Sequence, residues 1–320
     1  MNMYLVTGAA GFIGSHLVEK LLEKGEKVIG LDNFDPFYAK EIKEKNLSGI
    51  SDHPGFEFIQ GDIRNTDELQ RIFSSSKIET IVHLAAKAGV RPSIKNPLEY
   101  TDVNVRGTMN LLEMSRHNNV KKFIFASTSA IYGANRKLPF QEDDNVDHPI
   151  SPYAATKKAC ELLCYTYHHL FGIPIFCLRF FTVYGPRQRP DMAIHYFTKL
   201  IVNNMKIPVF GDGTSRRDYT YIDDIISGVM NAVDRCKGFE IYNLGESKTI
   251  ELRELIRILE QAIGQKAAIE HHPNQPGDVP ATYADISRAR KYLEYNPSFD
   301  VSEGVSRFVD WYLRMTSSNV

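Results

Sequence analysis

At 320 residues, 43% of them hydrophobic and 24% charged, the chain has material for a substantial core, as one large α/β domain or two closely joined ones. A formal net charge of −1 gives no reason to expect nucleic acid or an anionic membrane surface as a partner, and no apolar run is long enough to span a bilayer. Met1 leads straight into a strand with no signal peptide visible, and Cys160, Cys164, Cys177 and Cys236 sit in apolar segments without metal-ligand spacing to histidine. They read as reduced core residues of a cytosolic protein, so no metal is expected.

The chain opens with the apolar run Met3–Thr7, then Gly8-Ala-Ala-Gly11-Phe12-Ile13-Gly14, an amphipathic stretch from Ser15 to Gly25, and a second apolar run ending at Leu31-Asp32. Strand, glycine-rich turn, helix and strand make one βαβ unit. The glycines permit a tight turn, a pyrophosphate against bare backbone and close helix–strand packing. The helix start offers free N–H groups and a positive dipole end to phosphates. A carboxylate at Asp32 can accept hydrogen bonds from an adenosine ribose and would repel a 2′-phosphate, which favours NAD over NADP. Glycines alone would only punctuate a turn; in this setting they read as a dinucleotide site.

An aromatic loop, Asn33-Phe-Asp-Pro-Phe-Tyr38, and a Lys/Glu-rich run from Ala39 to Asn46 follow. Phe56–Ile59 reads as a third strand ending at Gly61-Asp62-Ile63, where Asp62 is placed to contact adenine or to cap the helix beginning near Thr66. Thr80–Leu84 is a fourth strand leading into Ala85-Ala86-Lys87, small enough to let a cofactor approach; His83 reads as structural. A helix is predicted over Asn104–Asn119 and a fifth strand over Lys122–Ala126. This alternation predicts a doubly wound parallel sheet with ligands at the strands' carboxyl ends.

One such end carries Ser127-Thr128-Ser129, and beyond a polar loop Pro152 suits the first turn of a helix running to about Gly172. Tyr153 and Lys157 stand four apart on one face of it. A tyrosine is a poor base near neutral pH unless neighbouring cations favour the phenolate, and Lys157 is expected to act this way. Alone, such a pair is most often a solvated face; after a dinucleotide site it reads as catalytic.

Gly8-x-x-Gly11-x-x-Gly14, Asp32, Asp62, the Ser127-Thr128-Ser129 strand end and Tyr153-x-x-x-Lys157 together resemble the extended short-chain dehydrogenase/reductases, and among them the NAD-dependent nucleotide-sugar epimerases and dehydratases. The likeness runs from Met3 to about Asp285. It implies a Rossmann domain over residues 1–182 and about 220–247, interleaved with a smaller α/β substrate domain over 183–219 and about 248–320. It implies NAD held by Gly8, Gly11, Phe12, Ile13, Gly14, Asp32, Asn33, Asp62, Ile63, Leu84, Ala85, Ala86 and Lys87, with Tyr153 and Lys157. Thr128 completes the catalytic set. The helices near Asn104–Asn119 and Tyr153–Gly172 would pair two subunits through a four-helix bundle. Arg217 matches the family's arginine for the diphosphate, and Asp278 its contact to the nucleotide ribose, whereas Gln275 stands where an arginine is usual.

Dehydratases and UDP-glucuronate decarboxylases of this kind carry an acid two residues before the Tyr-Gly of the strand-end motif, where this chain has Ala130. Simple epimerisation is therefore favoured. Phe180–Ala193, Ala88-Gly-Val-Arg91 and the aromatic loop after Asp32 resemble UDP-glucuronate 4-epimerases. Ser127, Ser129 and Thr182, with Arg189, are expected to bind a C6 carboxylate by charge-assisted hydrogen bonds; Arg189 on the pyrophosphate is the other reading. Tyr153 would take the 4-OH proton as NAD takes hydride from C4, Thr128 would bond the 4-oxygen and Lys157 the nicotinamide ribose. The 4-keto sugar would turn over and be reduced on its other face. UDP-glucose or UDP-N-acetylglucosamine 4-epimerase is the enzymatic alternative. A silent NAD-sensing protein is disfavoured by the intact pair.

Overall fold

The apolar runs become strands, and alternate residues on each feed two separate cores. The computed structural model describes residues 2–273 and 278–317. In chain order the strands are β1 (Met3–Thr7), β2 (Lys27–Asp32), β3 (Phe56–Gln60), β4 (Thr80–His83), β5 (Lys122–Thr128), β6 (Ile175–Phe180), β7 (Thr182–Tyr184), β8 (Ile207–Phe210), β9 (Arg216–Arg217), β10 (Tyr219–Tyr221), β11 (Phe239–Leu244), β12 (Ile250–Glu251) and β13 (Ile269–His272). Seven form one parallel sheet in the order β11-β6-β5-β4-β1-β2-β3. Tyr4 and Val6 of β1, Ile124 of β5 and Leu178 of β6 point to one core; Leu5, Phe123, Phe125 and Cys177 point to the other. Helices Phe12–Glu23 and Ile222–Arg235 bury Leu17, Leu21, Ile225 and Val229 on the first face. Helices Thr66–Ser75, Gly107–His117 and Pro152–Phe171 bury Leu69, Leu111, Cys160 and Cys164 on the second. Both faces are covered, which is why these strands are continuously apolar.

Strand order reverses between β1 and β4, so a crevice opens outside their carboxyl ends. β11 returns to the sheet, and the remaining strands form three small pairs, β7 with β10, β8 with β13 and β9 with β12. The helix predicted over Asn104–Asn119 is interrupted. Pro97–Tyr100 comes first, then a wide π turn over Thr101–Arg106, and regular helix only over Gly107–His117. The reason is Asn104. Its side chain donates to Lys87 O (3.0 Å) and Thr156 Oγ1 (3.1 Å) and accepts from Lys87 N (2.8 Å). Such bulges recur at functional sites. His83 is structural as predicted, bridging Thr7 and Thr108 in the interior. The cysteines are free and buried.

Candidate active site

The glycine turn is shaped by main chain alone. Gly8 has φ +72°, and a Cβ there would lie 2.9 Å from Ala85 N; one on Gly14 would lie 2.0 Å from Gly8 O. The turn presses β1 against the next helix at a distance no side chain allows. Gly11 starts that helix without a side-chain cap, leaving its first N–H groups to a ligand. Asp32 is buried at the end of β2, accepting from Ala10 N (3.2 Å) and Phe34 N (2.9 Å). Burial raises its pKa, and the Lys43 charge opposes the rise. Asn46 Nδ2, on helix Lys40–Leu47, donates to Ala10 O (3.0 Å), tying the turn to that helix.

The aromatic loop folds over this end of the crevice. Lys43 Nζ donates to Asp35 O (2.8 Å) and lies 4.7 Å from the Tyr38 ring centre. Lys87 bridges Asp35 (2.9 Å) and Glu99 (2.8 Å). Asp62 accepts from Asn33 (2.9 Å) and Arg64 (2.7 Å), and those bonds hold its carboxyl down at about 2. It is not the helix cap. Asn65, closer to the first turn, accepts from Asp67 N and Glu68 N.

At the other end β5 delivers Thr128, whose hydroxyl accepts from Ala130 N at 3.2 Å. Helix Pro152–Phe171 is capped by Ser151 onto Ala154 N and ends at Gly172 in the left-handed conformation (φ +69°). Lys157 is buried, with Nζ 2.8 Å from Ala126 O and 4.7 Å from the Phe125 ring centre. Burial pushes its pKa down to about 8. Burial raises the Tyr153 phenol, opposed by the Thr128 hydroxyl and the Arg189 cation. The groups that favour phenolate are thus Thr128 and Arg189, while the Lys157 ammonium is turned to a carbonyl.

Thr182 and Ser129 line the crevice beside Arg189. The Arg189 guanidinium is fixed side-on by Asp191, Nε to Oδ1 at 2.9 Å and Nη2 to Oδ2 at 2.7 Å, and lies over the Phe37 ring. Its loop is pinned on both sides. Arg187 reaches Glu19 (2.6 Å), and Gln188 holds Val183 O (3.0 Å) and His195 N (3.1 Å). Ser127 lines the crevice as well, with its hydroxyl donating inward to Glu161 (2.6 Å). That bond directs the Ser127 hydroxyl, though not the whole residue, away from the trough. Arg217 and Asp278 stand apart from the crevice wall. Arg217 donates to Arg216 O (2.8 Å) and Asp278 pairs with Arg91 (2.7 Å). Gln275 lies outside the described residues.

The two ends form one cavity of about 470 Å³, from Gly8 and Asp32 to Tyr153 and Arg189. A nucleotide-binding turn, a tyrosine–lysine pair and a cationic pocket along one trough suit reversible oxidation of a hydroxyl on an anionic ligand. The family model for GDP-mannose 4,6-dehydratase matches residues 5–308. The chain belongs to that family. Within this family of extended short-chain dehydrogenase/reductases, the UDP-glucuronate 4-epimerase of Thermodesulfobacterium geofontis is 48% identical over 97% of this chain and 96% of its own length. The crystal structure of the UDP-glucuronic acid 4-epimerase from Bacillus cereus, in complex with UDP-glucuronic acid and NAD, superposes with a TM-score of 0.93 at 40% identity, covering 98% of this chain and 99% of that one. The Thermotoga maritima UDP-glucose 4-epimerase with UDP-glucose gives 0.91 at 33%, again covering 98% and 99%.

The fold thus gathers around one trough every predicted cofactor residue of this family member, together with Thr128, Ser129, Tyr153, Lys157, Thr182 and Arg189. Among the residues that escaped the sequence reading are Lys43 in the crevice wall and, behind it, Asn46 and Asn104. Lys43 sits among other lysines with nothing to mark it, and Asn46 and Asn104 act through tertiary contacts. A polar residue inside an otherwise apolar helical face was the only signal for Asn104, and Asn46, in the polar run Lys40–Leu47, carried none.

Proposed function

We propose that the chain is a cytoplasmic NAD-dependent epimerase that interconverts UDP-glucuronate and UDP-galacturonate at C4. The observation that carries this reading is the half-buried Arg189 guanidinium in the same wall as Tyr153, Thr128 and Thr182. The Bacillus cereus and Thermodesulfobacterium relatives support it. The cradle at Gly8 and Gly14, which any Cβ would fill, fits a dinucleotide diphosphate, with Asp32 for the adenosine ribose and Lys157 for the nicotinamide ribose. NAD, when bound, supplies the hydride acceptor and donor at C4.

The chain's own part is proton handling and orientation. Tyr153 takes the 4-hydroxyl proton and, once the 4-keto sugar has turned over and its other face is reduced, returns the proton to the 4-oxygen; the Thr128 hydroxyl bonds that oxygen. Arg189, Thr182 and Ser129 hold the C6 carboxylate by charge-assisted bonds. Held there, the carboxylate of the 4-keto acid is kept out of the alignment in which its C5–C6 bond breaks into the ketone π-system. Arg217 and Asp278 serve the nucleotide from the smaller of two interleaved domains, residues 183–219 and about 248–320.

The chain acts as a homodimer. Leu162 and Leu170, on one face of helix Pro152–Phe171, are 56% and 62% exposed, and Leu98 is 83% exposed; two copies would cover these apolar groups as a four-helix bundle. No helix among the described residues is long and apolar enough to cross a membrane. One assay tests the reading: UDP-glucuronate, UDP-glucose and UDP-N-acetylglucosamine are incubated separately with the protein and the products resolved. UDP-galacturonate should dominate. Faster conversion of UDP-glucose would overturn the assignment.

A further inference from the structure

Three successive residues at the end of β5 meet three residues one helical turn apart on helix Pro152–Phe171. Thr128 lies beside the Tyr153 phenol and favours its ionised form, Ala126 O accepts from Lys157 Nζ at 2.8 Å, and Ser127 Oγ donates to Glu161 Oε1 at 2.6 Å. Positions 153, 157 and 161 share one helix face. The first two rungs hold the reacting groups; in the third, Ser127 lines the crevice but turns its hydroxyl to Glu161, which does not line it. Glu161 is fixed in turn by Arg179 of β6, Nε at 3.0 Å and Nη2 at 2.9 Å. Arg179 Nη1 reaches Tyr132 Oη and Glu142 O, both at 3.0 Å, and Tyr132 donates to Asn243 Oδ1 of β11 at 2.7 Å. Ser127, Glu161, Arg179, Tyr132 and Asn243 are all buried.

A buried ion pair is weak evidence for stability, since a well-packed apolar set of the same volume often serves as well. What this one does is join the ends of three adjacent parallel strands to a single helix, and a fully satisfied polar network admits one arrangement. We infer that Ser127 and Glu161 are positioning residues, whose hydrogen bond, braced by Arg179, sets the register of Tyr153 and Lys157 against the end of β5. Ser127 then belongs to catalysis through the helix and not through the sugar. The inference rests on Tyr153 and Lys157 being the catalytic pair, but not on which UDP-sugar is the substrate.

The test uses the full chain with NAD and the UDP-sugar it converts fastest. Ser127→Ala should lower kcat about 10- to 100-fold, the scale of a small misplacement of reacting groups. KM should stay within about twofold of wild type, with NAD content and melting temperature nearly unchanged. Glu161→Gln should lower kcat in the same way, and the double variant should lose no more than the worse single one. A raised KM with kcat retained would place Ser127 on the substrate and overturn the inference. So would an unchanged kcat, or losses that multiply in the double variant. If Glu161→Gln does not fold, the kcat and KM values of Ser127→Ala decide alone. Tyr153→Phe serves as the control. Near-normal turnover there would remove the catalytic pair, and this inference with it; a dead Tyr153→Phe beside a fully active Ser127→Ala would remove the inference alone.

Discussion

The two ends of the crevice are built from different materials. At the dinucleotide end the wall is main chain, brought together by one contiguous βαβ unit in which Gly14 lies against Gly8. At the sugar end it is side chains from distant segments, among them the long Arg189, engaged by an internal counter-ion, Asp191. Backbone recognition is local and rigid, and one methyl group abolishes it. Side-chain recognition is graded, because each cation exchanges one partner for another and loses only the difference. The first end should therefore fail all at once, and the second by degrees.

The largest effect is expected where the ends meet. Tyr153→Phe should keep fold and NAD yet lose several orders of magnitude in turnover, since the phenol is the group proposed to take the 4-hydroxyl proton. In the wild type, kcat/KM should fall above about pH 8, where Lys157 gives up its proton; a flat profile to pH 10 would deny Lys157 its role. Next comes Gly14→Ala, whose methyl would lie 2.0 Å from Gly8 O. Titration calorimetry should then show no measurable NAD binding, and retained affinity would show the turn to be softer than its geometry. Arg189→Ala is the graded case. It should cost roughly 1.5–3 kcal/mol in kcat/KM for UDP-glucuronate and much less for any UDP-glucose turnover, with some 4-keto acid escaping as a UDP-pentose. Equal losses on both substrates would assign Arg189 to the diphosphate.

The smallest effect concerns the support beneath the sugar end. Glu246 follows β11 with Oε2 buried and lacking a hydrogen-bond partner among the described residues. Burial, with Asp224 and Asp218 close by, raises its pKa to about 7. A folded-state pKa above the unfolded one means stability is fully present below pH 4.5 and is lost as pH rises through about 7. Glu246→Gln, always neutral, should melt a few degrees above wild type at pH 8 and close to it at pH 4.5. The same offset at both pH values would show that its charge is not the cause.

The sequence was most readable where one segment carries its own explanation. The glycine spacing, the acid ending β2, Pro152 at a helix start and Gly172 at its end each state a local backbone requirement, and the structure meets them all. Side-chain direction was harder to read. Ser127 and Thr128 both line the crevice, but the Ser127 hydroxyl turns to Glu161, 34 residues away, a partner the strand end does not announce. Asn104 gave no hint that it would open a π turn by reaching Lys87 and Thr156, since those partners are 17 and 52 residues away. Arg189 could be placed at the crevice, but its clasp on Asp191 and its seat on Phe37 belong to the folded loop.

The 20-residue helix from Pro152 has one more consequence. Tyr153 lies in its first turn, where aligned peptide dipoles leave about half a positive charge, and helical side chains lean back toward that end. A phenolate there is favoured by the field of the rod itself, worth about 0.3–1 kcal/mol in the direction opposed to burial. Tyr153 is thus predisposed toward the anion by the direction in which its own helix runs.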